Sequence, residues 1–194
     1  MEKTKLKLYL AGPMSGSPDL GHSWRLEWIE IIDSELPGMF EYFNPADPNM
    51  LDYVFKTYGL SKDDIEKPSD DLYGSEVYRD FCASVVREDL AELTTSDIVF
   101  VSMLDAKSAG TIGELSICRL LDIPTCVYVP SNVKLGVWLT GCVYNPGSDI
   151  VVVRSRGDVI AALESLYRVQ IEELEDFGLI ESMEDVDEVS WKEI

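Results

Sequence analysis

The sequence predicts an α/β fold built on a mainly parallel, five-stranded, doubly wound sheet flanked by helices. Two observations predict it. Short apolar runs alternate with amphipathic helical patterns along the chain, the signature of a parallel sheet with crossover helices. The later apolar runs are also nearly continuous, as expected for strands covered on both faces. With 194 residues the chain has length for one domain, and a domain of this size buries roughly 70% of its unfolded surface.

The first strand is Leu6 to Ala11, inside KLKLYLA, and a helical pattern from His22 to Leu36 follows it. That helix is apolar at Trp24, Trp28, Ile31, Ile32 and Leu36, and it should cross right-handedly to a second strand, Phe40 to Phe43. Residues 44–74 break the alternation. They are rich in Pro, Asp and Tyr with little periodicity, so they are expected as a long insertion loop, functional or partly helical. A helix from Ser75 to Leu93 has apolar residues at Val77, Phe81, Val85, Val86, Leu90 and Leu93. The third strand, Asp97 to Met103, is followed by a helix from Ala109 to Leu121. The fourth strand is Pro124 to Val129, the fifth Asp149 to Val153, and a last helix runs from Val159 to Leu174. The predicted domain is 1–175, and the acidic stretch 176–194 reads as a solvated tail.

Composition narrows the function classes. The net charge of -20 argues against an electrostatic grip on nucleic-acid backbone or anionic membrane. It leaves room for a small anionic ligand held by local backbone N–H groups. No apolar run approaches the ~20 residues of a membrane span, and the N-terminus lacks the h-region and cleavage site of a signal peptide. Cys82, Cys118, Cys126 and Cys142 stand apart, and His22 is the sole histidine, so neither a metal site nor a cofactor is expected. Isolated, mostly buried thiols suit a cytoplasmic protein.

Chemistry is sought at the carboxyl ends of the strands, where open α/β sheets bind ligands. The first strand ends in YLAGPMSGS, the second in FNPAD and the third in MLDAKSAGTIGE. None is a dinucleotide or P-loop glycine motif, but small-residue loops at neighbouring strand ends make a cleft. With Ser108 as helix cap, Gly110, Glu114, Ile117, Cys118 and Leu121 share one face, small or apolar apart from Glu114. Glu114 is equally well read as a structural carboxylate bonded to the Gly12 loop or as a chemical group. Asp89, four residues after Val85 and four before Leu93, interrupts an apolar stripe in the same way. Asp97 reads as a turn residue. Together Glu114 and Asp89 form a candidate two-carboxylate site of the kind used in retaining glycoside hydrolysis. Glu114, near a helix start, is expected ionised; Asp89, in a helix interior, is expected to have a raised pKa and to donate a proton.

LYLAGPMSG, DLAELTTSDIVFVSM and SAGTIGELSICRLLDIP occur in this order over residues 6–129, and the set resembles the nucleoside 2-deoxyribosyltransferase superfamily. The resemblance implies a flavodoxin-like sheet and a Glu nucleophile that passes through a ribosyl-enzyme intermediate. It places Glu114 as nucleophile, Asp89 as supporting acid and Tyr9 as the residue that orients the nucleophile. Ser108 stands where the transferases usually carry Asp. This resembles the branch that hydrolyses 2'-deoxynucleoside 5'-monophosphates, in which Gly12, Met14, Ser15, Gly16, Ser108 and Gly110 would bind substrate and its phosphate. The implied partner is a small nucleoside or nucleotide, and relatives commonly complete the site across a homodimer or higher homo-oligomer. Segment 132–147, with Trp138 and Asn145, lies where such a contribution would come from. Two other readings stand beside the enzyme: a nucleotide-binding sensor or regulatory module without turnover, and an acidic interaction protein.

Overall fold

A computed structural model describes residues 4–180 except 15, 16, 18, 105, 106 and 145–148, and gives no side-chain placement for residue 66. Its sheet has five strands: β1 (Leu6–Ala11), β2 (Phe40–Phe43), β3 (Ile98–Ser102), β4 (Thr125–Tyr128) and β5 (Ile150–Val153). The order is β2-β1-β3-β4-β5 and every pairing is parallel. This is the flavodoxin-like doubly wound order. The chain leaves β1 for one edge, then returns to its other side at β3. The carboxyl ends of β1 and β3 therefore flank the topological switch point, the place where such sheets open a crevice.

Strand alternation sorts the core into two layers. Leu6, Leu8, Leu10, Ile98, Phe100 and Cys126 face one way, packed on Trp28 and Ile32 of α1 (His22–Glu35) and on Val159, Leu163 and Tyr167 of the long C-terminal helix. Tyr9, Ala11, Val99, Val101 and Val127 face the other way, against three further helices, through Leu93, Leu115, Cys118, Leu139 and Val143. Every residue of β3 is buried, which explains the unbroken apolar run of its sequence. Asp97 has a turn role: its Oδ2 accepts from the Lys7 N–H at 2.7 Å and fixes the entry to β3 beside β1.

Residues 44–74 are not one loop. They carry three helices, α2 (Pro48–Tyr58), α3 (Lys62–Glu66) and α4 (Asp70–Tyr73). Local caps start them. Asp47 accepts from the backbone N–H groups of Asn49 and Met50, with Pro48 already set at a helical φ; Ser61 and Asp64 form a capping box; Ser69 accepts from Leu72 N–H. Gly59, at φ 65°, stops α2 in the left-handed region. Phe55 of α2 then meets Phe81 of α5 (Glu76–Thr94), ring centroids 6.1 Å apart. The remaining helices are α6 (Ala109–Leu120), α7 (Val137–Val143) and α8 (Arg156–Asp176). The short α7 has no counterpart in the sequence reading. Among the described residues no helix is long and apolar enough to cross a membrane.

Candidate functional site

Tyr9 reaches the switch point from β1, and Glu114 from the second turn of α6 behind β3. The Tyr9 hydroxyl donates to Glu114 Oε1 at 2.7 Å. Tyr9 is fully buried, stacked on Phe43 at 5.3 Å, so its hydroxyl is held in one place. Burial, then the nearby charges of Glu114 and Asp89, drive the phenol's pKa far upward, so Tyr9 serves as a permanent hydrogen-bond donor. Among the described residues Glu114 is bonded to the strand through Tyr9, and no bond to the Gly12 loop is seen.

The Glu114 pKa is raised, chiefly by burial, while the Tyr9 hydroxyl and the Arg25 charge pull it down. The helix start adds little at the second turn, and desolvation is the larger influence on Glu114. Asp89 enters from α5. Its pKa is pushed from 3.8 to about 7 by burial first and by the Glu114 charge second, with Arg25 opposing. The Glu114 charge thus acts on Asp89, whose pKa lies near neutrality.

Arg25, the charge opposite them, was not anticipated. It is fully buried, and its guanidinium donates to three backbone carbonyls: Leu10 from Nε at 3.0 Å, Gly21 from Nη1 at 3.0 Å and Gly12 from Nη2 at 2.9 Å. It also lies 4.2 Å from the Trp24 ring. Desolvation lowers its pKa to about 10, still charged at neutrality, and Glu114 is the first of the groups that support the charge. The signal was spacing. Arg25 precedes Trp28, Ile32 and Leu36 by three, seven and eleven positions, which puts a cation on the buried stripe of α1.

The remaining predicted residues divide. The Ser108 side chain caps α6, accepting from the Thr111 hydroxyl at 2.9 Å and leaving its own O–H to donate. A Cβ built on Gly12 would lie 2.4 Å from the Trp24 ring, so this glycine is required by helix packing. Gly110 faces open space. Met14 is partly buried beside the loop, whereas Ser15, Gly16 and Asn145 lie outside the described residues. Leu121, predicted on the inward face of α6, is 52% exposed, because the helix ends at Leu120 and the chain turns out through Asp122 at φ 51°. Trp138, at the start of α7, is also exposed. Among the described residues no group of three or more His, Cys, Asp or Glu is placed to hold a metal ion.

Fold and site together define a doubly wound α/β protein with a Tyr–Glu pair, a protonatable Asp and a buried Arg at its switch point. No protein-family model matches the chain, and no curated protein matches it. Among solved structures it is similar to a 2-deoxyribosyltransferase from the psychrotolerant bacterium Bacillus psychrosaccharolyticus. The two share 19% identity at a TM-score of 0.48, over 79% of this chain and 90% of that one. It is also similar to a conserved protein from Enterococcus faecalis V583, with 14% identity, a TM-score of 0.49, and 84% and 99% of the two chains covered. The fold assignment rests on the strand order and pairing of the sheet itself.

Proposed function

We propose that this chain cleaves the N-glycosidic bond of a nucleoside or nucleoside 5'-monophosphate, with hydrolysis favoured over base exchange. The observation that carries the reading is the Tyr9–Glu114 bond beside the raised Asp89, two interacting carboxyl groups at the switch point of the sheet. In the first step a Glu114 carboxylate oxygen bonds to the anomeric carbon. The carbon–nitrogen bond breaks, its electron pair leaves with the base, and Asp89 protonates the departing nitrogen. In the second step water bonds to the anomeric carbon, the ester bond to Glu114 breaks, and the water's proton returns to Asp89. Tyr9 keeps Glu114 aimed. Arg25 supplies a positive charge that opposes burial and favours the ionised, nucleophilic form of Glu114.

The preference for a 5'-phosphate rests on Ser108, which stands where related transferases carry Asp and offers a hydroxyl beside the N-terminus of α6. A helix start and a hydroxyl donor suit an anion despite the acidic surface. Gly12 and Met14, just after β1, supply the other wall. Tyr9, Glu114, Asp89 and Ser108 all come from one chain, and completion of the site by a second copy is part of the proposal.

The test is release of free base from a panel of nucleosides and 5'-monophosphates. Glu114→Ala should lose roughly 10³-fold or more of the rate on the best substrate. Equal behaviour of wild type and variant across the panel overturns the proposal. Thermal stabilisation by a nucleotide without any turnover points instead to the non-catalytic binding module.

A further inference from the structure

The helices of segment 44–74 enclose a cleft of about 480 Å³ against the loop between β1 and α1. Neither Glu114, Asp89 nor Tyr9 lines it. Its walls are Leu20, Ala46, Leu51, Phe55 and Leu60, with His22 among them. This volume and this mixture of apolar walls with a few polar groups match small-molecule sites.

The polar groups can be sorted. Asp19 is spent on its own loop, accepting from the N–H groups of Gly21 and Ser23 and from the Ser23 hydroxyl. Asp52 and Lys56 face each other at 4.0 Å. Two carboxylates, Asp19 and Asp52, and two ammonium groups, Lys56 and Lys62, line the cleft, so it is charge-balanced in a chain of net charge -20. It neither repels nor collects anions.

His22 is different, because its proton can be placed. Asn44 Oδ1 accepts from the Ala46 N–H at 2.9 Å, which fixes the amide and turns Nδ2 toward His22. Nδ2 lies 3.3 Å from His22 Nδ1. An amide nitrogen only donates, so Nδ1 accepts and the ring proton sits on Nε2. The cleft therefore has an imidazole with a fixed donor edge. An aromatic ring, Phe55, also lines it, packed on Phe81 with ring centroids 6.1 Å apart.

We propose that this cleft binds a planar heteroaromatic ring carrying a hydrogen-bond acceptor on its edge. The ring stacks on Phe55 between Leu20 and Leu51, and its acceptor takes the His22 N–H. The inference stands apart from the glycosidic reading, because it needs no chemistry at Glu114. Phe81, packed on Phe55, lies on the same helix as Asp89 and about 12 Å from it, and none of Glu114, Asp89 and Tyr9 lines the cleft, so the ring belongs to a ligand separate from the substrate of the Glu114 site.

His22 is the sole histidine, so its imidazole NMR signal reports on the cleft without assignment. The full chain is titrated with adenine and with uracil, and with cyclohexanone as an acceptor that lacks the flat aromatic ring. The expected result is a saturable shift of the His22 signal with at least one base and weaker binding of cyclohexanone. Phe55→Leu and Asn44→Leu should each weaken the base by roughly three- to tenfold, while Glu114→Gln leaves it unchanged. In wild type, the bound base should show proton–proton Overhauser contacts to the Phe55 ring, a readout that does not depend on how the variants fold. No saturable shift with either base, equal binding of cyclohexanone, or a base without contacts to Phe55 overturns the proposal. Simultaneous binding of the base and the corresponding 5'-monophosphate to Glu114→Gln is the expected result; competition between them would make the ring part of the substrate and overturns the proposal. Loss of base-release activity with retained binding here would count against the glycosidic reading alone.

Discussion

Tyr9→Phe removes one oxygen from the site, and the structure fixes what should follow. The deleted hydroxyl donates at 2.7 Å to Glu114 Oε1 from a fully buried ring that keeps its place by stacking on Phe43. Phe fits the same space, so the change is confined to one hydrogen bond. A bond to a charged acceptor contributes about 1.5–3 kcal/mol, a neutral one about 1 kcal/mol. The difference, about 0.5–2 kcal/mol, falls on the ionised form of Glu114. At 1.36 kcal/mol per pKa unit, it should raise the Glu114 midpoint by roughly one unit. The Glu114 pKa is already above its ordinary value through burial, and the hydroxyl is one of the groups that hold it down. The assay is a carbon-13 NMR titration of side-chain carboxyls, with Glu114→Gln to identify the signal. Denaturant unfolding at pH 5 and pH 8 supplies the second readout, with a larger loss of stability at pH 8. An unchanged or lowered Glu114 midpoint in Tyr9→Phe would refute the reasoning.

Arg25→Met should also raise the Glu114 midpoint, and should destabilise by about 3 kcal/mol as three buried carbonyls lose their donor; a carboxyl titration unchanged from wild type would show that the cation is structural only. Asp89→Asn tests the pH dependence of stability. The Asp89 pKa is higher in the folded chain, about 7 against 3.8, so the folded state binds the extra proton and its stability falls as pH rises through that window. The variant should therefore gain about 1–3 kcal/mol over wild type at pH 8, after allowance for partial exposure, and nothing at pH 4; urea unfolding at the two pH values decides. Gly21→Ala puts a Cβ 2.4 Å from the Pro13 carbonyl oxygen at φ 79°, whereas Gly38→Ala, at φ 75°, meets nothing within 4 Å. The first should lower Tm by roughly 5–10 °C and the second by about half as much or less; equal shifts would show that strain alone, not the contact with Pro13, makes Gly21 necessary.

The sheet was legible because strands buried on both faces leave little room for polar residues: IVFVS and TCVY announce themselves. Residues 44–74 were legible only as functional or partly helical, and two of their helices, α3 and α4, have only five and four residues. Their information lies in the caps Ser61 and Ser69, which periodicity does not register. Glu114 and Asp89 were found as carboxylates on apolar faces, and Tyr9 through the resemblance. Arg25 was overlooked although it sits on an equally apolar stripe, because its partners are carbonyls of Leu10, Gly12 and Gly21, which a sequence does not display. Gly12 taught the opposite lesson. A glycine in a suggestive loop is accounted for by the Trp24 ring against it.

The hydrogen bonds from α1 to the loop after β1 have a mechanical consequence. Trp24 Nε1 holds the Pro13 carbonyl at 3.2 Å, while Arg25 holds those of Leu10 and Gly12. Strand end and helix start are thereby stitched together, and Gly12 and Gly21 leave the room that the seam needs to close. This side of the crevice is braced like an anvil, so the motion that admits a ligand is expected on the opposite side, where α6 begins, or in the helices of residues 44–74.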